Sequence, residues 1–318
     1  MTSTIVKNAT KLPPREGSLK YGVVGGTGMI GTALADALRE RGDEVLIITR
    51  RTPLSEGEVQ WDPTRGVQDI GRLEGLDAIF NLAGAPIATR PWTRARRRVL
   101  WQSRVEATEV LIESLSRLDR PPKVYVGVGG LGIFGDQGEE EIPDDAPPGT
   151  GFLAELCIAW ETSHMSAENL GSRAAVLRMA LVLSPLGGVF PLMVRPFRYV
   201  GGWMGNGRQY TSWISIRDCV GALIHLAENE SCVGYFNGTV PSPIPNRAWC
   251  EALGRVMHRP VLTHAPKWAL RGALGELADE LFLASLRCVP KKLLDTGYCF
   301  VDGDVEETFG WLLAELEG

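Results

Sequence analysis

From residue 21 onward, the chain alternates short apolar runs with longer segments in which apolar residues recur every three or four positions. The short runs are rich in β-branched residues and predict strands, whereas the longer segments predict amphipathic helices. Strands are predicted over residues 21–25, 44–49, 59–61, 78–82, 123–128 and 174–182. Because such alternation is typical of a parallel sheet covered on both faces, the pattern predicts an α/β fold with a Rossmann-type, doubly wound parallel sheet.

Helices are predicted over residues 29–41, 105–118, 152–170, 218–228, 246–257 and within 274–286. Gly42 is placed to end the first helix, and Pro121 with Pro122 prevents continuation of the second. Asn246 is expected to cap the helix that begins there.

Proline and glycine become frequent after about Ser184, which indicates long loops. We therefore expect a flexible N-terminal arm over residues 1–19, a Rossmann domain over residues 20–185 and a smaller, loop-rich C-terminal substrate lobe over residues 186–318. A strand near residues 233–239 is expected to return to the main sheet.

Composition and charge limit the partners. The 318 residues include 44% hydrophobic residues, the formal net charge is -5, and the pI is about 5.6. A protein of this charge is not attracted as a whole to nucleic acid or to an anionic membrane, so neither is expected as a partner. A short arginine cluster at positions 94, 96, 97 and 98 predicts a solvated helix face, with a local anion contact as the alternative.

The six cysteines form no C-x-x-C pair and the four histidines lack metal-ligand spacing, so no metal site is expected. No apolar stretch resembles a signal peptide or approaches membrane-spanning length. These features predict a cytoplasmic monomer or homodimer with reduced cysteines in its interior.

Two segments match the G-x-G-x-x-G spacing. The first, through Gly26, Gly28 and Gly31, follows a predicted strand, opens a predicted helix and precedes a second strand by about the expected twenty residues. Its glycines let the backbone turn tightly and approach a pyrophosphate, whose charge the amides at the helix N-terminus stabilise. This segment predicts a dinucleotide site.

The second match, through Gly127, Gly129 and Gly132, follows a strand but precedes an acidic loop that would repel a pyrophosphate. It is not expected to bind phosphate. Its position at the end of a central strand is nevertheless where an open α/β sheet places its ligand.

The second strand ends in Thr49-Arg50-Arg51. Chains that bind NAD usually carry an acidic residue there for the ribose hydroxyls, whereas two cations suit a 2′-phosphate. We therefore expect NADP(H) as the cofactor, in preference to NAD(H).

Several further segments occur in order along nearly the whole chain: GGTGMIG at 25–31, WDP at 61–63, NLAGAPI at 81–87, SRV at 103–105, FLAELC at 152–157, GRQ at 207–209, SWI at 212–214 and PKKL at 290–293. With them the sequence resembles the extended short-chain dehydrogenase/reductases, and within these the atypical group described as NAD-dependent epimerase/dehydratase-like, of the nucleoside-diphosphate-sugar epimerase type.

The resemblance implies roles for residues around the cofactor. The pyrophosphate would be held by Gly25, Thr27, Gly28, Met29 and Ile30, and the adenosine phosphate by Arg50 and Arg51. The ribose floor would be formed by Leu82, Ala83 and Gly84, and the neighbours of the nicotinamide would be Met179 and Ala180. Loops between Gly187 and Trp213 would close over the substrate.

The sequence departs from the superfamily at the catalytic positions. The usual chemistry needs a Ser or Thr hydroxyl, and a Tyr made acidic by a Lys four residues on. Where the group commonly has two serines and a pair of tyrosines, this chain has Gly127, Gly129, Ile133 and Phe134; at the Tyr and Lys positions it has Leu153 and Cys157; and Ser215 replaces a usual His.

We therefore expect an atypical short-chain dehydrogenase/reductase that binds NADP(H) and acts on a small organic molecule, such as one in specialised biosynthesis, without the Ser/Tyr/Lys set. The alternatives are a non-catalytic NADPH-binding regulatory protein and, third, a nucleotide-sugar epimerase. The expected substrate pocket contains Gly129, Phe134, Leu153, Arg208 and Trp213. Its walls facing the nicotinamide, formed by Gly127, Gly129, Ile133, Phe134 and Leu153, are expected to be apolar. Tyr210 and Cys157 are the candidate proton donors, each with a structural role as the alternative.

Overall fold

The computed structural model describes residues 17–317, so the expected N-terminal arm lies almost entirely outside the described residues. The strands, numbered along this part of the chain, are β1 (Lys20–Val24), β2 (Glu44–Thr49), β3 (Glu58–Asp62), β4 (Gly66–Val67), β5 (Ala78–Asn81), β6 (Val124–Gly130), β7 (Glu141–Ile142), β8 (Arg173–Met179), β9 (Leu181–Ser184), β10 (Gly187–Gly188), β11 (Gly201–Met204), β12 (Tyr210–Thr211), β13 (Trp213–Ser215), β14 (Gly234–Gly238), β15 (Ile244–Pro245), β16 (Val261–Ala265) and β17 (Arg287–Cys288).

The α-helices of the same region are α1 (Met29–Glu40), α2 (Arg94–Trp101), α3 (Ala107–Leu115), α4 (Phe152–Met165), α5 (Phe190–Phe197), α6 (Ile216–Glu228), α7 (Asn246–Val256), α8 (Lys267–Leu274), α9 (Lys291–Asp295) and α10 (Val305–Glu317). Gly42, which has φ of 96°, follows the end of α1 as its left-handed conformation allows.

Eight strands form the main sheet in the order β14-β8-β6-β5-β1-β2-β3-β4. All neighbouring strands are parallel except the β3–β4 hairpin at one edge. The chain proceeds from β1 to β2 and β3 on one side, and then from β5 to β6 and β8 on the other. The predicted doubly wound α/β fold is thus confirmed, and its topological switch point lies between β1 and β5, where such sheets bind ligands.

Residues 174–182, predicted as one strand, belong to two sheets. β8 ends at Met179 in the main sheet, whereas β9 pairs in parallel with β13 and antiparallel with β10. Ala180 lies between them and donates its N–H to the carbonyl of Gly238 at 3.0 Å. The prediction of a single strand was wrong because the apolar run continues without interruption across the point where the chain changes sheets.

Three helix predictions need correction. The helix predicted from residue 105 begins much earlier: α2 and α3 are joined by a π-helical turn at Gln102–Glu106. Asn246 is the first residue of α7 rather than its cap, because its Oδ1 accepts the N–H of Met204 at 2.9 Å. The helix predicted within 274–286 is replaced by α8, which ends at Leu274, and by a π-helical turn at Ala278–Leu283.

Both faces of the main sheet are covered by buried apolar residues, which explains why β1 and β2 are apolar almost throughout. A third hydrophobic cluster lies in the C-terminal part around Phe190, Trp213, Trp249 and Phe309. Within residues 17–317, no helix is both long enough and apolar enough to cross a bilayer.

Candidate cofactor site

The turn between β1 and α1 needs glycine at Gly25 and at Gly31, and it leaves open space at Gly28. Gly25 has φ of 78°, and a Cβ there would lie 3.1 Å from the carbonyl carbon of Leu82. A Cβ on Gly31 would overlap the carbonyl oxygen of Gly25. A Cβ on Gly28 would meet only that same oxygen, at 3.3 Å, so the space in front of Gly28 is open. The turn therefore leaves a clear approach to the N-terminus of α1.

The N-terminus of α1 offers hydrogen-bond donors to this space. Gly28 is the N-cap and supplies no side-chain cap, and helix geometry leaves the amides of Met29 and Ile30 without an intrahelical acceptor. Across from them stands the β9–β10 turn, where a Cβ on Gly188 would lie 3.1 Å from the Sδ of Met29. An anion such as a pyrophosphate fits this arrangement.

A cavity of about 630 Å³ adjoins the glycine turn and the end of β2. It is lined by Gly26, Thr27, Thr32, Ala35, Asp36, Arg39, Ile47, Arg51, Ser55 and Glu58. Of the two expected cations, Arg51 lines the cavity, and Arg50 is exposed outside this lining set. The Nη2 of Arg51 is 2.6 Å from the Oε1 of Glu58. The N–H of Leu54 and then Arg51 lower the pKa of Glu58.

The loop after β5 is held by a buried polar chain. Asn81 accepts the N–H of Ala83 at 3.2 Å and donates to the hydroxyl of Tyr125 at 3.0 Å. That hydroxyl lies 3.0 Å from Nδ1 of His164, whose Nε2 lies 3.1 Å from the carbonyl of Val128. A carbonyl only accepts, so Nε2 carries the proton and Nδ1 accepts from Tyr125. The loop containing Leu82, Ala83 and Gly84 is thereby fixed beside the switch point.

Arg104 lies against this loop without an acidic partner. Its guanidinium carbon is 3.4 Å from the place of a Cβ on Gly84 and 5.0 Å from the ring centroid of Trp160. No ion pair between described residues includes Arg104. Burial lowers its pKa to about 10. The π-helical turn that carries Arg104 thus places a charged donor beside Gly84 in the loop after β5.

The second glycine motif packs strand β6 against helix α4. The three motif glycines and Gly130 each face a side chain of the helix, which a Cβ on the glycine would meet. A Cβ on Gly127 would overlap the ring of His164, and a Cβ on Gly132 would overlap the side chain of Leu153. A Cβ on Gly129 would lie 2.7 Å from Oε1 of Glu161, and a Cβ on Gly130 would lie 3.5 Å from Sγ of Cys157. We call this set of four contacts the β6–α4 interlock. It explains the motif without any ligand.

The interlock includes Leu153 and Cys157, the residues expected at the positions of the usual Tyr and Lys. Leu153 and Cys157 are 7% and 3% exposed, so both side chains are core residues. Burial, assisted by Glu161, raises the pKa of Cys157 to about 12. The thiol is therefore protonated at neutral pH, buried, and a weak acid.

Gly129 and Phe134 lie beside a buried ion pair. Arg178 donates to both carboxylate oxygens of Glu161 at 2.8 and 2.9 Å, and the two side chains are 7% and 4% exposed. The guanidinium carbon also lies 5.1 Å from the ring centroid of Phe134, which is fully buried. Burial raises the pKa of Glu161 while Arg178 lowers it.

The structure does not bring the five expected pocket residues together. Gly129, Phe134, Leu153 and Trp213 are buried, and Trp213 belongs to the C-terminal hydrophobic cluster. Arg208 is exposed and lies 3.3 Å from Glu139. Four of the five expected residues thus lie in the interior and one lies at the surface.

The remaining expected residues lie at the end of β8 and in β12. Met179 and Ala180 are partly buried at the end of β8, beside the switch to β9. Tyr210 is partly buried in β12, and its ring lies 5.2 Å from the guanidinium carbon of Arg287. No described contact gives the Tyr210 hydroxyl a catalytic partner.

Sequence reasoning missed three residues of this region. Glu58 was missed because it lies nine residues after Thr49 in the sequence. The pairing of β2 with β3 sets it beside Ile47, and both residues line the cavity. Arg104 was part of a family segment but had no role, because the π-helical turn that orients it has no sequence signature. His164 could have been found from its place on the same face of α4 as Leu153 and Cys157.

The sequence of this chain is similar to those of known epimerase family proteins. Residues 22–236 match the NAD dependent epimerase/dehydratase family, and residues 265–312 match a domain of unknown function, DUF1731. An epimerase family protein of Mycobacterium leprae is 36% identical over 290 residues, covering 91% of this chain and 94% of that protein. One from Mycobacterium tuberculosis is 37% identical over 291 residues, covering 91% of this chain and 96% of that protein.

Solved structures show the same fold. The human epimerase family protein SDR39U1, crystallised with NADPH, superposes with a TM-score of 0.85 at 29% identity, covering 93% of this chain and 99% of that chain. A nucleoside-diphosphate sugar epimerase from Corynebacterium glutamicum gives a TM-score of 0.76 at 27% identity, covering 93% of this chain and 58% of that chain. The chain therefore belongs to the NAD-dependent epimerase/dehydratase family, as an atypical extended short-chain dehydrogenase/reductase.

Proposed function

We propose that this protein binds NADP(H) and acts on a small organic molecule without the Ser/Tyr/Lys set. The observation that carries the cofactor assignment is the open approach to Gly28, next to a cavity that contains Arg51. A glycine turn at the start of a helix suits a pyrophosphate, and a cation after the second strand suits a 2′-phosphate. The NADPH in the human relative's crystal supports the same assignment.

The proposed cofactor contacts extend from the glycine turn between β1 and α1 to the end of β8. The pyrophosphate is assigned to the turn and to the first amides of α1, at Gly25, Thr27, Gly28, Met29 and Ile30. The adenosine phosphate is assigned to Arg50 and Arg51, and the nicotinamide half to Leu82, Ala83, Gly84, Arg104, Met179 and Ala180. When bound, NADP(H) supplies or accepts a hydride.

The proton must come from a source other than the usual tyrosine. Gly127 and Gly129 carry no hydroxyl, and Leu153 and Cys157 replace the Tyr and Lys within the β6–α4 interlock. We therefore assign the proton to the substrate, to water or to a covering loop. The same filled positions favour a non-catalytic NADPH-binding protein as the second candidate. Strict epimerisation ranks third, because it needs a base for a hydroxyl proton.

The cofactor assignment predicts a selective effect of the two arginines. Each charge-assisted contact to a phosphate is worth about 1.5–3 kcal/mol. Replacing both Arg50→Ala and Arg51→Ala is expected to weaken NADPH binding by at least about tenfold and to leave NADH binding within about threefold. Isothermal titration calorimetry with each nucleotide measures this. Arg117→Ala, which removes an exposed arginine outside the cavity, is the control. Equal losses for both nucleotides would contradict the assignment.

The proposed chemistry is tested with NADPH deuterated at nicotinamide C4. We expect deuterium transfer to at least one class among ketones, enones and imines, with a pH profile that lacks a tyrosine–lysine ionisation. Mass spectrometry follows the label. Tight NADPH binding with no transfer to any class would favour the non-catalytic candidate. Tyr235 lies in β14, with its ring centroid 4.8 Å from the guanidinium carbon of Arg178. Fast ketone reduction that is lost on Tyr235→Phe but retained in Tyr210→Phe and Cys157→Ala would show that another tyrosine donates the proton.

A further inference from the structure

The cavity beside the glycine turn contains charges of both signs. Arg39 and Arg51 line it together with Asp36 and Glu58. In α1, Nη1 of Arg39 lies 3.8 Å from Oδ1 of Asp36. Nη2 of Arg51 lies 2.6 Å from Oε1 of Glu58. The lining thus offers an incoming phosphate no excess of positive charge.

We infer that Glu58 determines the selectivity between NADPH and NADH by competing with the 2′-phosphate for Arg51. This inference rests on the proposed function, since it concerns the same nucleotide site. It changes the expected behaviour of that site: the preference for NADPH is smaller than two free arginines would give.

Glu58 is the fixed member of its pair. Its Oε1 accepts from Arg51, and its Oε2 accepts the N–H of Leu54 at 2.9 Å. Its backbone is set by pairing with Ile47 in β2. The side chain of Glu58 is 12% exposed, whereas that of Arg51 is 49% exposed. When a phosphate binds, Arg51 is therefore the group that turns, and the carboxylate stays in the cavity.

A fixed carboxylate affects the two nucleotides in opposite ways. The 2′-phosphate of NADPH is repelled by it and must draw Arg51 away from it. The ribose hydroxyls of NADH can instead donate to it, as they do to the acidic residue at the end of the second strand in NAD-binding proteins. In this chain the acidic residue comes from the start of β3 rather than from the end of β2.

The test is Glu58→Gln, which removes the charge and keeps an oxygen for Leu54. We expect NADPH to bind about tenfold more tightly or better, and NADH to bind no more tightly than before. Glu56→Gln is the matched control, since it removes an exposed carboxylate two residues earlier that does not line the cavity. It should leave both affinities within about twofold. Circular dichroism verifies that each variant is folded.

A second variant tests the competition itself. In an Arg51→Ala background, the gain from Glu58→Gln should shrink, because no arginine remains to be released. A gain that persists in full would overturn the competition for Arg51. An unchanged NADPH-to-NADH ratio in Glu58→Gln, with NADPH binding intact, would overturn this inference alone. If the wild-type protein bound neither nucleotide, the proposed function would fall together with it.

Discussion

At the scale of single residues, the most unusual group is His164, which is fully buried and neutral. Its ring occupies the space above Gly127 and completes the polar chain from Asn81 through Tyr125 to the carbonyl of Val128. In the uncharged ring Nε2 donates to Val128 and Nδ1 accepts from Tyr125, and burial lowers the pKa of the imidazole to about 3. The uncharged state of His164 therefore supports the hydrogen bonds that hold the loop after β5.

This pKa predicts a loss of stability in acid. An unfolded histidine takes up a proton below about pH 6.5, whereas His164 in the folded protein does not until about pH 3, so its contribution is complete above pH 6.5 and is lost as the pH falls. The loss amounts to about 2 kcal/mol between pH 7.5 and pH 5. Urea unfolding at a series of pH values measures it.

The comparison needs two variants. His164→Gln should be less stable at neutral pH but should show a flatter dependence between pH 7.5 and pH 5 than the wild type. His264→Gln, at an exposed position of β16, should leave the wild-type slope in place. An equally steep slope in His164→Gln would show that other groups carry the acid sensitivity.

The chemistry of single residues was only partly readable from the sequence. The conformational requirement at Gly25 and the close packing at Gly31 follow from local rules for a strand, turn and helix. The pairing of Arg51 with Glu58 does not, because it depends on how a loop folds back to β3. Likewise, Trp213 looks like a pocket residue in its segment, and only tertiary packing shows that it is buried in the C-terminal cluster.

At the scale of elements, the β6–α4 interlock explains both the glycine-rich strand and the helix beside it. Side chains four or three positions apart on α4 form one row along the strand, and each meets a glycine. Glycine lowers the stability of a strand, and the close packing of the helix that it allows offsets this loss.

The interlock predicts that a single methyl group is destabilising. Gly132→Ala would overlap the side chain of Leu153, and overpacking of this kind costs about 1–3 kcal/mol. Adding Leu153→Ala to Gly132→Ala should cost less than the two single effects combined, because the overlap is removed. Denaturant unfolding of the two single variants and of the double variant measures the coupling. Gly71→Ala, where a Cβ meets nothing within 4 Å, should have little effect. Simple additivity would contradict the contact.

Element boundaries show where the hydrophobic pattern stops being informative. The pattern locates β1, β2, β5 and β6 closely, because turns or charged residues bound each run. It does not detect the change of sheet at Ala180, since apolar residues lie on both sides of it. It also cannot detect the π-helical turn between α2 and α3, because a continuous helix and an interrupted one have the same amphipathic appearance.

At the scale of the whole molecule, the two halves of the chain share one core. Leu223 and Ile224 of α6 and Phe236 of β14 belong to the same hydrophobic cluster as Val23 and Phe80. The main sheet ends with β14, which pairs with β8 across five residues. The expected boundary at residue 185 therefore marks an increase in loop content rather than a separation of cores.

The β6–α4 interlock also limits how this protein can change over evolutionary time. A return to conventional dehydrogenase chemistry would need a tyrosine at position 153, a lysine at position 157 and a hydroxyl on β6. Each new atom would enter space already occupied, because Leu153 fills the region above Gly132, and Glu161 and His164 fill the regions above Gly129 and Gly127. A single substitution at any of these positions would disturb the core, so conventional dehydrogenase chemistry would require several coupled replacements.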